Sequence, residues 1–213
     1  MTANSERSAA AYVPATRSLA RLREAAAHCR GCDLYRYATQ TVFGEGPARA
    51  KMVFIGEQPG DKEDRSGHPF VGPAGALLHD AMLAARIDPK TVYITNAVKH
   101  FKFIQRGKKR LHQKPRTIEI QACSPWLEAE LRQIRPRLVV ALGATAAQAL
   151  LGRTFRLTQH RGEILEAALA DRVLATVHPS SILRAPDAAK RHRELAAFVG
   201  DLKIAAAAAS QLR

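Results

Sequence analysis

Cysteine is scarce in this chain: only three of the 213 residues are cysteine. An odd number so small argues against a framework of disulfide bonds. Long apolar runs are missing as well, since no stretch of about 18 apolar residues occurs that would span a membrane. The first 15 residues contain Glu6 and Arg7 and no uninterrupted apolar core of the signal-peptide type. We therefore expect a cytoplasmic protein with no membrane partner.

Acidic residues are few relative to basic ones. The chain has 19 Asp and Glu against 33 Lys and Arg, which gives a formal net charge of +14 at pH 7. Such an excess suits a polyanionic partner, because neutralising phosphates releases counterions and supplies affinity that does not depend on sequence. A basic surface that is merely solvated is the alternative that charge alone leaves open.

Apolar runs typical of strands alternate with helical patterns along the chain. The predicted strands are 52–55, 92–95, 137–142 and 173–177, and an edge strand near 163–165 is left open. The predicted helices are 17–28, 73–85, 117–134, 144–151 and 187–209. We predict an α/β fold: a single domain at 17–213 with three layers, in which a central, mainly parallel four-stranded sheet is flanked by helices. Residues 1–16 are expected to form a flexible tail.

Residues suited to chemistry follow three of these predicted strands. Glu57 lies in the run Gly-Glu-Gln-Pro-Gly after the first strand, Asn96 follows the second, and His178 follows the last. Ligands of open parallel sheets bind outside the carboxyl ends of the strands. The pattern therefore predicts one site built from segments that are far apart in sequence.

A long basic segment at 101–116 interrupts the alternation. It contains eight Lys, Arg and His residues and shows no convincing periodicity. A structureless loop of this length inside a compact domain is usually functional or disordered. We interpret it as an inserted basic loop, with a mobile loop that only adds affinity for phosphate as the alternative.

Two of the cysteines, Cys29 and Cys32, form a Cys-x-x-Cys motif, and Cys123 is the third. This spacing lets two thiolates converge on one metal centre. A redox pair or an incidental pair is the alternative. A four-ligand site needs another group, and spacing alone does not choose among the eight histidines.

Four motifs in fixed order are together more specific than any one of them. They are the runs at 56–64 (GEQPGDKED), 69–75 (PFVGPAG), 95–100 (TNAVKH) and 177–181 (VHPSS). In this combination the chain, over about residues 17–205, resembles the uracil-DNA glycosylase superfamily, in its iron–sulfur-containing, family-four-like part. The run Lys109-Arg110-Leu111-His112 in the basic segment further resembles the UdgX branch, whose members remove uracil from DNA and then stay covalently attached to the sugar through a loop histidine.

The resemblance implies a cofactor, a [4Fe-4S] cluster. The implied ligands are Cys29, Cys32, His100 and Cys123, although the common family-four pattern has cysteine where this chain has His100. Imidazole replaces thiolate in some iron–sulfur sites, which makes the substitution chemically plausible. The expected role of the cluster is structural.

The resemblance also implies a role for each motif residue. Phe70 is expected to stack on uracil, and Asn96 and Gln58 are expected to bind it. Alternatively, Gln58 supports the loop that carries the nucleophile. His178 is expected to stabilise the negative charge on the leaving base. Glu57 acts either electrostatically on the sugar or as a general base for His112, the expected nucleophile.

The expected partner is uracil-containing DNA, preferably single-stranded, bound by a monomer. The residues expected to hold its phosphates are Lys108, Lys109 and Arg110 of the basic loop and Ser180, Ser181 and Arg184. Arg110 has a second interpretation, in which it bonds the backbone of its own loop. Three functions stay open from sequence: a glycosylase that captures its product covalently, a conventional turnover glycosylase, and a non-catalytic iron–sulfur module that binds DNA.

Overall fold

A five-stranded sheet forms the centre of the protein, for which a computed structural model describes residues 7–211. These described residues contain seven strands: β1 (Met52–Gly56), β2 (Tyr93–Asn96), β3 (Phe103–Arg106), β4 (Lys109–His112), β5 (Leu138–Leu142), β6 (Ile164–Ala167) and β7 (Ala170–Thr176). The sheet has the order β2-β1-β5-β7-β6, in which only β6 runs antiparallel to its neighbour. The mainly parallel sheet predicted from sequence is therefore confirmed.

Helices cover both faces of this sheet. They are α1 (Leu19–Ala26), α2 (Asp61–Ser66), α3 (Pro73–Ala84), α4 (Thr117–Ile134), α5 (Ala144–Leu151), α6 (Leu157–His160), α7 (Pro179–Leu183) and α8 (Ala188–Gln211). Side chains alternate along β1, so that Met52 and Phe54 pack in one apolar cluster with α3 and α8, whereas Val53 and Ile55 pack in another with α4 and α5. The two clusters lie on opposite faces of the sheet, so the fold has three layers: helices, sheet and helices. Helix α8 packs on the domain along much of its length.

The sheet has five strands where four were predicted. The additional strand is β6, at the position that sequence left open as an edge strand, and it pairs with β7 from Ile164 opposite Leu174 to Ala167 opposite Ala170. An edge strand has one neighbour and is only half-buried here, so it lacks the continuous apolar run that marks β1, β5 and the end of β7.

The basic segment is a β-hairpin and not a structureless loop. Strands β3 and β4 pair antiparallel from Phe103 opposite His112 to Arg106 opposite Lys109, and they form a two-stranded sheet of their own. The two-residue turn begins at Gly107, whose φ of +57° suits glycine. Most side chains of the hairpin are exposed, so its strands lack the alternation of apolar and polar residues by which strands are recognised in sequence.

The predicted flexible tail has a short element within the described part. Residues 1–6 lie outside the described residues, but Ala9–Tyr12 form a 3-10 helix, and Ala9 is buried in an apolar cluster with Leu22 and Trp126. Within residues 7–211, no helix combines the length and the apolar character needed to cross a membrane.

Candidate active site at the carboxyl edge of the sheet

The motif residues meet around one open cavity of about 990 Å³. Glu57 follows β1, Asn96 ends β2 and His178 follows β7, so the carboxyl ends of three strands supply one wall. Phe70 comes from the loop before α3, and His112 ends β4 of the hairpin. The expectation that separate segments share one site is met by this arrangement.

Phe70 lies in a backbone conformation that is rare for a bulky residue. Its φ is +56°, and its ring centroid lies 5.8 Å from that of His178. Two glycines make room for it: a Cβ on Gly75 would lie 1.7 Å from the Phe70 carbonyl oxygen, and one on Gly56 would lie 2.7 Å from Phe70 Cζ. The close approach of these segments therefore sets the ring in the cavity wall.

Asn96 offers an unsatisfied acceptor to the cavity. The residue is only 2% exposed, and its Oδ1 is buried without a hydrogen-bond partner among the described residues. Gly56 is again required, because a Cβ there would lie 2.3 Å from this oxygen. A buried acceptor left without a donor costs free energy, which a ligand N–H group would recover.

Glu57 joins the hairpin to the sheet edge. Its Oε1 lies 3.3 Å from His112 Nε2, and its Oε2 accepts a hydrogen bond from the Thr145 hydroxyl. Burial pushes the pKa of Glu57 upward, but the hydrogen bonds from His112 and Thr145 outweigh it and leave the pKa below its usual value. The carboxylate is therefore ionised at neutral pH. Sequence reasoning missed Thr145. A signal for it was available, because Thr145 lies in the first turn of α5, three residues after the carboxyl end of β5.

His178 is held as a neutral imidazole of one tautomer. It caps the first turn of α7, where its Nδ1 accepts the Ser180 backbone N–H at 3.1 Å. Burial lowers the pKa of His178 to about 4. Because Nδ1 accepts, the ring proton is on Nε2, which makes that nitrogen a hydrogen-bond donor.

The residues after His178 form the short helix α7. The Ser180 hydroxyl lies 2.8 Å from His178 Nδ1, and the Ser181 hydroxyl donates to the His178 carbonyl at 2.7 Å. Both hydroxyls thus bond His178 itself. Arg184, directly after this helix, is exposed at the rim of the cavity.

The amide of Gln58 is fully used within the protein. It donates to the carbonyls of Lys102 and Gln113 and accepts from the Lys102 N–H, each at 3.1 Å. These bonds clamp the two chain segments that enter and leave the hairpin. Of the two roles considered for Gln58, the contacts favour support of the nucleophile loop over contact with the base.

Arg110 also turns inward. Its guanidinium pairs with Asp61 and with Asp64, the latter at 2.6 Å, and it is only 10% exposed. It lies over the Phe101 and Phe103 rings, at 5.4 and 5.0 Å from their centroids. These contacts anchor the hairpin on α2. Lys108 and Lys109, at the hairpin tip, are exposed.

The three cysteines are neighbours in one apolar cluster. Cys29 and Cys123 are buried, Cys32 is half-buried, and none forms a disulfide. Burial, and then the neighbouring Cys29, raises the pKa of Cys32, and burial raises that of Cys123 to about 12. Backbone N–H groups already point at sulfur: that of Gly31 at Cys29 Sγ, 3.4 Å, and that of Lys99 at Cys123 Sγ, 3.3 Å.

His100 does not share these contacts. Its Nε2 lies 2.9 Å from the Thr41 hydroxyl, and burial lowers its pKa to about 4, so the imidazole is neutral. In the described range 7–211, no three His, Cys, Asp or Glu residues lie close enough together to hold a single metal ion.

The fold and the cavity define a class of protein: an α/β enzyme with one open cavity, which is lined by an aromatic ring, an amide, a carboxylate and a neutral imidazole. These groups suit a flat, polar ligand. Comparison with known proteins narrows the class, because residues 43–203 match the family described as the uracil DNA glycosylase superfamily, and the chain belongs to that superfamily.

Several curated relatives share most of this length. A Type-4 uracil-DNA glycosylase of Thermotoga maritima is 37% identical over 157 residues, which cover 73% of this chain and 78% of the relative. One of Pyrobaculum aerophilum is 32% identical over 190 residues, or 85% of this chain and 93% of the relative. A Type-5 uracil-DNA glycosylase from the same organism is 33% identical over 172 residues, 70% of this chain and 72% of the relative.

Proposed function

We propose that this protein excises uracil from DNA and then captures the resulting sugar covalently through His112. The names of the relatives support the excision of uracil. The observation that carries the capture is the position of His112: its Nε2 faces the ionised Glu57 at 3.3 Å, on a hairpin rigidly anchored beside the cavity. A basic hairpin that served only to attract phosphate would have no need of this contact.

Base recognition uses the groups in the cavity wall. An enzyme that cleaves a glycosidic bond in DNA must take the base out of the stack, which costs least for a single strand. The flipped uracil stacks on Phe70, and its N3–H supplies the donor that Asn96 Oδ1 lacks. This pairing selects a base with a donor at N3, as uracil has and cytosine does not.

Departure of the base leaves negative charge on uracil. His178 Nε2–H is the donor placed for this charge, and its neutral state is already fixed by Ser180 and by burial. A preorganised donor of this kind stabilises the transition state without reorganisation at the moment of reaction.

Capture follows as a balanced exchange. Glu57 takes the proton from His112 Nε2, and that nitrogen forms the bond to the anomeric carbon as the bond from this carbon to uracil N1 breaks. The bonding electron pair leaves with uracil, which then takes a proton at N1 from Glu57. One imidazole N–H is thus exchanged for one N–C bond, and free uracil is the second product.

The exposed cations are the groups suited to hold the phosphate backbone. Arg184 lies at one side of the cavity rim, and Lys108 and Lys109 lie at the hairpin tip. Lys114, which sequence reasoning did not assign, also lines the cavity. Binding through these residues makes affinity fall as the salt concentration rises.

One experiment separates the possible functions. The purified protein is mixed with a labelled single-stranded oligonucleotide containing one uracil, boiled in detergent and run on a denaturing gel beside a thymine control. We expect a band at the mass of protein plus DNA with uracil alone. Alkali-cleavable DNA without this band would show a conventional glycosylase, and neither product would leave only a DNA-binding module.

As part of the same proposal, Cys29, Cys32 and Cys123 hold a [4Fe-4S] cluster with His100 as the fourth ligand. The donor set fits, because three neighbouring thiols with N–H donors on two sulfurs suit thiolate ligation, and the neutral His100 has a ring nitrogen besides the one that faces Thr41. When bound, the cluster supplies a cross-link between the N-terminal segment and α4. The cysteines of that segment lie just after α1, and Cys123 lies within α4.

The ligand set is tested by iron content. We expect the Cys123→Ser variant to purify with little iron and sulfide, and with a lower unfolding temperature, because a buried cross-link is lost. We expect His100→Cys to keep the full content and His100→Ala to lose part of it. His68→Ala, a change in an exposed histidine, is the matched control. Full iron in both Cys123→Ser and His100→Ala would contradict the assignment.

A further inference from the structure

A fully buried ion pair lies behind the cavity wall. Lys99 Nζ is 2.5 Å from Glu130 Oε2, and both side chains are 0% exposed. Removing two charges from water is costly, and such pairs often contribute no net stability compared with apolar residues of the same size. Stability alone therefore gives a weak reason for charges at these two positions.

Every bonding capacity of the pair is used. The ammonium of Lys99 donates to Glu130, to the Thr95 hydroxyl at 2.7 Å and to the Asn96 carbonyl at 2.8 Å. Glu130 also accepts from the Tyr93 hydroxyl at 2.8 Å and from the Gly44 N–H at 3.1 Å. Three of these partners, Tyr93, Thr95 and Asn96, belong to β2, so the network fixes the end of that strand against α4.

The network of hydrogen bonds is connected to base recognition through Asn96. Asn96 is the last residue of β2, which lies at the edge of the sheet and pairs there with β1. Lys99 holds the main-chain carbonyl of Asn96, while the side-chain Oδ1 of the same residue lies at the cavity with no hydrogen-bond partner in the part of the chain that the structure describes. The ammonium thus fixes the peptide from which the amide projects.

We propose that Lys99 is a positioning residue for base recognition: held by Glu130, it fixes the Asn96 main chain and so aims the Asn96 amide at the flipped base. This inference rests on the proposed contact between Asn96 and uracil. Lys99 itself is buried and touches neither the base nor the DNA.

The test uses a variant chosen to fold. Lys99→Met alone would strand the Glu130 charge, so it is combined with Glu130→Gln, which keeps an oxygen acceptor for Tyr93 and Gly44. In single-turnover excision with this double variant, we expect the rate at saturating DNA to fall about tenfold or more, since the amide is no longer held in place. The DNA concentration for half-maximal rate should stay within about twofold, because no phosphate contact changes. Iron content and unfolding temperature check that the fold is intact.

A thermodynamic cycle separates positioning from a general defect. In an Asn96→Ala background, the same pair of changes should cost less than about twofold, because a residue that acts through the Asn96 amide has nothing left to position. A full tenfold loss in that background would overturn the proposal, and so would a double variant that excises uracil at the wild-type rate. Wild-type protein run in parallel keeps the questions apart: if it releases no uracil, the proposed function fails.

Discussion

We expect that replacing His112 with serine abolishes the covalent adduct while uracil is still released. The serine lacks the imidazole nitrogen that forms the bond, whereas Glu57, Asn96 and His178 are unchanged around the cavity. The shorter side chain also leaves space beside the Glu57 carboxylate for a water molecule, which then attacks in place of the imidazole. The measurements are the shifted band on a denaturing gel and the uracil released per protein molecule.

This result has two quantitative parts. The adduct band should fall below detection, and the first-turnover release of uracil should stay within roughly tenfold of the wild type. Release should then continue beyond one uracil per protein. His192→Ser, a change in an exposed histidine on α8, is the control and should leave the adduct intact. An adduct in His112→Ser that resists boiling would show that the nucleophile is another residue.

We expect that replacing His178 with leucine slows uracil release by about a hundredfold to a thousandfold, the usual cost of losing one preorganised donor at a developing negative charge. Leucine retains bulk beside Phe70 but has no N–H for the departing base. The loss should appear in the maximal single-turnover rate, and adduct formation should slow in parallel, because both outcomes follow cleavage of the same bond.

Ser180→Ala is the matched control for this change. The Ser180 backbone N–H still donates to His178 Nδ1, so the tautomer is kept, and the rate should fall by less than about tenfold. Since burial lowers the pKa of His178 to about 4, protonation of this residue should not affect the rate above about pH 5. A His178→Leu rate within tenfold of the wild type would refute the role of the imidazole.

The sequence predicted best the strands that are buried on both faces and the helices that bury one face on the sheet. β1 and β5 are continuous apolar runs, and Thr117–Ile134 and Ala144–Leu151 begin and end where their patterns indicated. β6 was left open and β3 and β4 were missed because strands exposed on one or more faces lose that signal. The short helix α2 after Gly60 was also missed, since its residues are mostly polar.

For the site, too, some features could be predicted from the sequence and others could not. Glu57, Asn96 and His178 line one cavity, as predicted, because residues at the carboxyl ends of parallel strands meet at one edge of the sheet. The partners of Gln58 and Arg110 depend on where the hairpin docks, and local sequence carries no record of that. For Arg110 the acidic partners are 46 and 49 positions away.

The separate pairing of the β3–β4 hairpin has a consequence for how such an enzyme can change. None of its ladder bonds belongs to the five-stranded sheet, and its attachments include the Gln58 amide and the Arg110 ion pairs. Under the proposed chemistry, the five-stranded sheet carries the residues that release the base, and the hairpin carries the residue that decides the fate of the sugar. A protein that keeps the capturing module is spent once per lesion, so the number of uracils it deals with in a cell is set by its synthesis and not by its turnover.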